Sequence, residues 1–314
     1  MLFKSAPRFW EKVSFSQSPV QALLSRTISL FLLPLSWIYG LIIWLKQSMI
    51  DSGIPTLFKI YQPVPVPLII VGNIRVGGTG KTPMVIALAN ELVRLGFKPG
   101  VISRGYQPNG GAKLSAPTAV GFNSDPMSVG DEPVLIARRI HNGIPIWVYP
   151  KRKACIDALL QSYPEVNVII SDDGLQHAAL VRWPARDGGR DLELVVEDER
   201  GNGNGRLLPA GPLREGANRE RDATITITDE PTSNQIFNNP KPFQLKPVID
   251  SAYPLNRPHE VISLTQMLTK LVGLKIGALA AIGNPEKFFK ALTKLGVHLE
   301  QSLGLADHAP CLLY

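Results

Sequence analysis

The feature that most narrows the folds open to this chain is a glycine loop with one residue out of place. In GNIRVGGTGKTP, Gly72 to Pro83, three glycines lead into Lys81-Thr82, and the apolar run VPLIIVGN stands before them. That run reads as a buried parallel strand, and TPMVIALANELVRLG after it as an amphipathic helix. A glycine loop between strand and helix is the setting that turns Gly-Lys-Thr into a phosphate cradle. Backbone N–H groups across Gly77, Gly78, Thr79 and Gly80 can approach phosphate oxygens, and the helix N-terminus adds its positive dipole. Lys81 can reach the β- and γ-phosphates of ATP, and the Thr82 hydroxyl can hold Mg2+. The standard pattern has a glycine five residues before Gly80. Arg75 stands there, so the loop starts with a geometry of its own.

Beyond the loop, apolar runs alternate with helical stretches. KPGVISRGY and IPIWVYP read as strands, DEPVLIARRIH and KACIDALLQSY as helices, and VNVIISDDG and ATITITDE as further strands. Alternation at this spacing predicts an α/β layered domain with a mainly parallel sheet. Residues 178–190 and 198–220 are polar and rich in Arg and Gly, and read as loops. PFQLKPVIDSAYPLN reads as an extended linker, and KIGALAAIGNPEKFFKALTKLG as a strand–loop–helix opening a smaller second lobe.

Ahead of all this lies TISLFLLPLSWIYGLIIWL, Thr27 to Leu45, nineteen residues without a charge. As one helix it would be about 28 Å long, close to the hydrocarbon thickness of a bilayer. A buried core helix is the alternative. More positive charge precedes the run than follows it, which would carry the next domain out of the cytoplasm. A nucleotide site needs cytosolic ATP. A helix lodged in the cytoplasmic leaflet, with Pro34 and Gly40 interrupting it, reconciles the two.

The net charge of +7 suits a nucleic acid, an anionic membrane or a phosphorylated substrate without choosing among them. Two distant cysteines, Cys155 and Cys311, offer neither a disulfide framework nor a zinc site. Asp172 and Asp173 follow the apolar run Val168–Ile170, and adjacent carboxylates at a strand tip repel unless a cation lies beside them. A turn aspartate pair is the other reading. With the glycine loop upstream, Asp172 and Asp173 become candidate metal ligands.

GNIRVGGTGKTP, SRGY (Ser103–Tyr106), VGDEP (Val129–Pro133), DDGLQH (Asp172–His177) and GRLLPAGPLRE (Gly205–Glu215) occur in that order. Together they resemble the tetraacyldisaccharide 4'-kinase (lipid A 4'-kinase) family, over nearly the whole chain. IGNPEKFF, Ile282 to Phe289, and the apolar segment match as well. The resemblance implies transfer of the γ-phosphate of ATP, with Mg2+, to the 4'-hydroxyl of a tetraacyldisaccharide 1-phosphate, forming a lipid IVA-type product. It implies a P-loop NTPase-like α/β/α sandwich with an N-terminal membrane helix and a second, smaller α/β lobe. The location it implies is the cytoplasmic face of the inner membrane. The partners are the lipid A disaccharide precursor and membrane lipid, not nucleic acid, and the enzyme is expected to be a monomer.

Residue by residue, the resemblance makes Asp131 the catalytic carboxylate near the acceptor hydroxyl, with Glu132 close to the metal. GDEP also reads as a helix start with Asp131 as N-cap. His308 matches a family histidine that orients this carboxylate; a lone surface histidine is the alternative. Arg214 and Glu215 fall where the family has a charged pair near the phosphates. Arg152 matches half of a family Asp-Arg pair, and surface solvation is the alternative for both arginines. His177 is expected to stabilise its own loop.

The stretch ALVRWPARDGGRDLELVV, residues 179–196, is longer than the family's usual connection and reads as an insertion in a surface loop. The chain stops six residues after His308, which leads to the expectation of a shortened second lobe. The segments are expected as 1–50 (basic segment and membrane helix), 51–240 (P-loop kinase domain) and 241–314 (linker and C-terminal lobe). The rival function is a P-loop ATPase switch of metallochaperone or partition type. Those proteins carry a lysine where Val76 stands.

Overall fold

The computed structural model describes residues 7–11, 19–52, 62–105, 114–140, 143–177, 180–228, 243–249, 251–257, 260–282 and 284–305. They fall into two compact units, Pro7–Leu245 and a second that takes in Lys246–Tyr314.

The first unit begins with two apolar helices, α1 (Pro19–Phe31) and α2 (Leu33–Asp51). The single helix expected over Thr27–Leu45 is therefore broken, and its two halves bend by 51°. Pro34 is the physical reason: it has no N–H for the carbonyl of Leu30, and its ring crowds that carbonyl. Gly40, the other interruption, stays inside α2. Among the described residues no single helix is long and apolar enough to cross a bilayer, although the bent pair has the length and composition together.

The sheet follows in chain order. Its elements are β1 (Leu68–Gly72), α3 (Lys81–Arg94), β2 (Pro99–Ser103), β3 (Thr118–Val120), α4 (Asp131–Arg139), β4 (Ile146–Val148) and α5 (Arg152–Ser162). β5 (Val168–Asp172), β6 (Leu192–Asp198), β7 (Ala223–Ile227) and β8 (Phe243–Leu245) complete it. Spatial order is β8-β7-β6-β1-β5-β2-β4-β3, and every pairing is parallel except β3 with β4.

Strands β1, β2 and β5 are buried at every position, because helices cover both faces of a parallel sheet. Alternation then splits each strand between two cores. Val71, Val101, Val168 and Ile170 pack with Val85 of α3 and Ile136 of α4. Ile70, Ile102 and Ile169 pack with Cys155, Ile156 and Leu159 of α5 on the other face. Each fully buried Ile or Leu contributes about 1.5–3 kcal/mol, so these two layers fix the strand ends that carry the site.

Three sequence expectations need correction. LELVV, the end of the stretch read as carrying an insertion in a surface loop, belongs to the buried strand β6, hydrogen-bonded between β1 and β7. The acid that breaks its apolar pattern at Glu193 is bound by Arg182, Arg186 and Arg219. Phe243–Leu245, expected in a linker, extends the sheet as its edge strand. Helix α4 starts at Asp131 with Gly130 as N-cap, one residue earlier than expected.

In the second unit, α6 (Leu264–Leu271) begins with a capping box between Ser263 and Gln266. β9 (Ile276–Ala280), α7 (Pro285–Lys294) and β10 (Leu299–Gly304) form a parallel strand–helix–strand unit, with Phe289 of α7 buried.

A candidate phosphate site at the carboxyl ends of the central strands

The glycine loop leaves the end of β1 and enters α3. Gly77 and Gly80 have φ of 105° and 91°, a region that favours glycine. At Gly80 a Cβ would also lie 2.5 Å from Cδ1 of Ile227. Side chains of Asn73, at the loop's start, and Arg200, from another segment, hold its acceptors. Asn73 Nδ2 donates to Gly77 O at 3.1 Å and to Thr79 Oγ1 at 3.0 Å. Arg200 Nη2 donates to Gly78 O at 2.6 Å, while Asp198 at the end of β6 grips the same guanidinium at 2.6 to 3.1 Å. In a trans peptide the next N–H points the opposite way. With both carbonyls held by these side chains, the N–H groups of Gly78 and Thr79 point away from them.

Lys81 Nζ lies 3.6 Å from Asp173 Oδ1. Arg214 Nη1 reaches the same carboxylate at 3.3 Å and Gln176 Oε1 at 3.4 Å. Asp173 is the one non-glycine residue with positive φ, 48°, among the described residues. Such a conformation costs about 1–3 kcal/mol and collects at functional sites. Burial pushes the Asp173 carboxyl up, but Lys81, Arg214 and Arg152 together outweigh it and hold the group below the ordinary carboxylate range.

Asp172 is its opposite. It is buried, and burial lifts its carboxyl above the ordinary range against the attraction of Lys81, with the Asp173 charge adding to the rise. Ser103 Oγ donates to its Oδ2 at 3.3 Å, whereas its Oδ1 is a buried oxygen with no hydrogen-bond partner. Arg152, expected at the surface or weakly in the site, is buried, and its Nη2 donates to the main-chain carbonyl of Asp172 at 2.5 Å. Desolvation lowers its pKa, opposed chiefly by Asp172.

Arg214 comes from a segment with no helix of its own, held along the start of the glycine loop. Arg214 N donates to Ile74 O at 2.7 Å and Val76 N to Pro212 O at 2.9 Å. Arg75 is the residue at the missing-glycine position. It is buried, paired with Glu11, and donates to Gly201 O at 3.3 Å. Its bulk ties the loop's start to the neighbouring segments, which a glycine could not do.

The sequence profile of the family described as tetraacyldisaccharide-1-P 4'-kinase matches residues 28–311. A tetraacyldisaccharide 4'-kinase of Polynucleobacter necessarius is 52% identical over 98% of this chain and 81% of that protein. The chain belongs to this family. A Bordetella parapertussis tetraacyldisaccharide 4'-kinase is 41% identical over 90% of this chain and 77% of its own length. The crystal structure of LpxK from Aquifex aeolicus in complex with ATP superposes with a TM-score of 0.69. It is 28% identical to this chain and covers 90% of it and 83% of the other.

For a tetraacyldisaccharide-1-P 4'-kinase, then, the chain's own candidates divide as follows. Lys81, Asp173 and Arg214 meet, with Asp172 beside them. Thr79 is buried in the loop, and Thr82 is half-buried in the first turn of α3. Asp131 and Glu132 open helix α4, which packs in the same core as α3, and Asp131 Oδ1 accepts from the N–H of Glu132 at 2.9 Å. His308 lies outside the described residues. Among those described, no three His, Cys, Asp or Glu side chains form a metal cage. Asn73 and Arg200 were not singled out by sequence, and Arg75 was marked only as the departure from the standard pattern, without its partners; a loop beginning Asn-x-Arg offers only a faint signal.

Proposed function

We propose that this chain transfers the γ-phosphoryl group of ATP to the 4'-hydroxyl of a tetraacyldisaccharide 1-phosphate, a lipid A precursor. The convergence of Lys81 and Arg214 on Asp173 at the mouth of the glycine loop carries this reading. Phosphoryl transfer needs positioning and positive charge more than covalent chemistry. Asp173 keeps both cations at the loop's mouth until phosphate oxygens compete for them. The loop N–H groups of Gly77 to Gly80 and the N-terminus of α3 grip the triphosphate tail.

Mg2+ fits the residues present, because Asp172 has a buried carboxylate oxygen with no partner, and Ser103 Oγ and the adjacent Asp173 carboxylate are oxygen donors beside it. Thr82, Asp172, Asp173 and Glu132 are the residues that would hold it. When bound it neutralises charge on the β- and γ-phosphates. Asp131 accepts the proton of the 4'-hydroxyl as that oxygen bonds to the γ-phosphorus and the bond to the ADP oxygen breaks.

The chain works as a monomer at the cytoplasmic face of the inner membrane, held there by α1 and α2. Phe31, Trp37 and Trp44 on these helices are 84%, 70% and 62% exposed, which supports a lipid contact. Flotation with anionic vesicles tests the location: protein remaining in the dense fraction contradicts it. The function is tested by the product. Phosphorus NMR after incubation with ATP and the disaccharide should give a second phosphomonoester, at the 4' carbon; an unchanged spectrum contradicts the reading.

A further inference from the structure

The apolar helices carry polar contacts that transfer chemistry alone does not account for. Ser29 Oγ donates to Ala210 O at 2.6 Å, Ser36 Oγ to Leu207 O at 2.7 Å, and Tyr39 Oη to Arg214 O at 3.0 Å. Ser36 and Tyr39 are three residues apart on α2 and therefore share a face. Gly40 lies on that side too: a Cβ there would sit 3.0 Å from Cδ1 of Leu207. Farther along, Lys46 Nζ donates to Gln176 O at 3.1 Å, and the Gln176 side chain contacts both Arg214 and Asn73 O. One helix thus reaches the segment that carries Arg214 and the loop that carries Asp173, while its other faces expose apolar side chains.

All three hydroxyl acceptors are main-chain carbonyls of residues 207–214, a stretch of turns and isolated bridges. Such a stretch keeps its conformation through outside partners. At Arg214 the partners are complete: Ile74 O takes its N–H and Tyr39 takes its C=O. Two fixed ends leave the peptide little freedom to swing, and the guanidinium is delivered to Asp173.

We propose that Tyr39 is a positioning residue for Arg214, and that the seating of the apolar helices is built into the geometry of the phosphate site. This rests on the kinase reading, in which Arg214 meets the transferring phosphoryl group. The same helix face that leaves the apolar sides free for lipid holds the catalytic arginine, so detachment of α2 loosens Arg214.

The test is Tyr39→Phe in the full chain, assayed in detergent with ATP and the disaccharide. Loss of one hydrogen bond that acts on the transition state should lower kcat about tenfold. KM for the disaccharide and vesicle flotation should stay unchanged, and the thermal midpoint should fall by no more than the few degrees that one lost hydrogen bond costs. In an Arg214→Ala background Tyr39→Phe should have no further effect, because the hydroxyl acts only through the arginine. Unchanged kcat in Tyr39→Phe overturns the proposal, and so does an equal drop in both backgrounds. Failure of the unmutated chain to phosphorylate the disaccharide sinks the kinase reading instead. Positioning is then judged by the ratio of ATP to ADP affinity. Tyr39→Phe and Arg214→Ala should each lower that ratio without adding to one another, and an unaltered ratio in Tyr39→Phe overturns the proposal.

Discussion

Arg152, the first residue of α5, donates to the main-chain carbonyl of Asp172, the last residue of β5, at 2.5 Å. This bond is buried and charged, and it fixes the strand end from which Asp172 and Asp173 project. Substituting Arg152→Met removes the donor and strands a buried carbonyl. The expected loss is about 1–3 kcal/mol, read as a lower denaturant midpoint. A variant as stable as the parent would show that the carbonyl finds another partner.

Arg75 gives a sharper case, because restoring the standard loop glycine should harm the protein. Arg75→Gly deletes the contacts to Glu11 and Gly201 and adds backbone freedom. Stability should fall by about 1–3 kcal/mol, and ATP affinity, measured by calorimetry, should not improve. Tighter ATP binding by Arg75→Gly would mean that the arginine obstructs the loop.

These two residues mark the limit of what was legible in the sequence. The strand–glycine loop–helix could be read because each part is local: an apolar run, glycines where φ turns positive, and an amphipathic period. Asp172 and Asp173 were legible as the tip of such a run. The roles of Arg75, Arg152 and Arg200 were not, since their partners lie far along the chain. Strand β6 was hidden because Glu193 and Glu197 interrupt its apolar residues, and the arginines that neutralise Glu193 sit in loops on either side. Of the two interruptions read from the sequence, Pro34 makes the break at Leu32, whereas Gly40 stays inside α2.

His177 should make stability depend on pH. Burial, reinforced by the nearby Arg152, Arg182, Lys46 and Arg104, lowers its pKa to about 4, against about 6.5 in an unfolded chain. Above pH of about 6.5 both states are neutral and the residue contributes nothing. As pH falls from there to about 4, the unfolded chain takes up the proton first, so the folded state loses ground. His177→Gln should remove that part of the acid loss, seen as a shallower fall of the urea midpoint over this window. Parallel curves for the two proteins would contradict the assignment.

The loop glycines should differ in cost. Gly77→Ala meets only the Arg200 guanidinium, at 3.7 Å, whereas Gly80→Ala places its Cβ 2.5 Å from Ile227. Both incur the left-handed penalty of about 1–2 kcal/mol, and Gly80→Ala adds a displacement of Ile227. Urea titrations should rank Gly80→Ala as the less stable; the reverse order would mean that the loop relaxes at Gly80 and not at Gly77.

The central claim is that the Gly77–Thr82 loop presents ATP to a lipid-borne sugar hydroxyl. Its most direct measurement follows label from γ-labelled ATP in the presence of tetraacyldisaccharide 1-phosphate and detergent, for the parent chain and Lys81→Ala. The account predicts label in the disaccharide for the parent and at least a hundredfold less for Lys81→Ala, on the order of what one lost phosphate-stabilising group costs. Label found only as inorganic phosphate, or equal transfer by the two proteins, would contradict it.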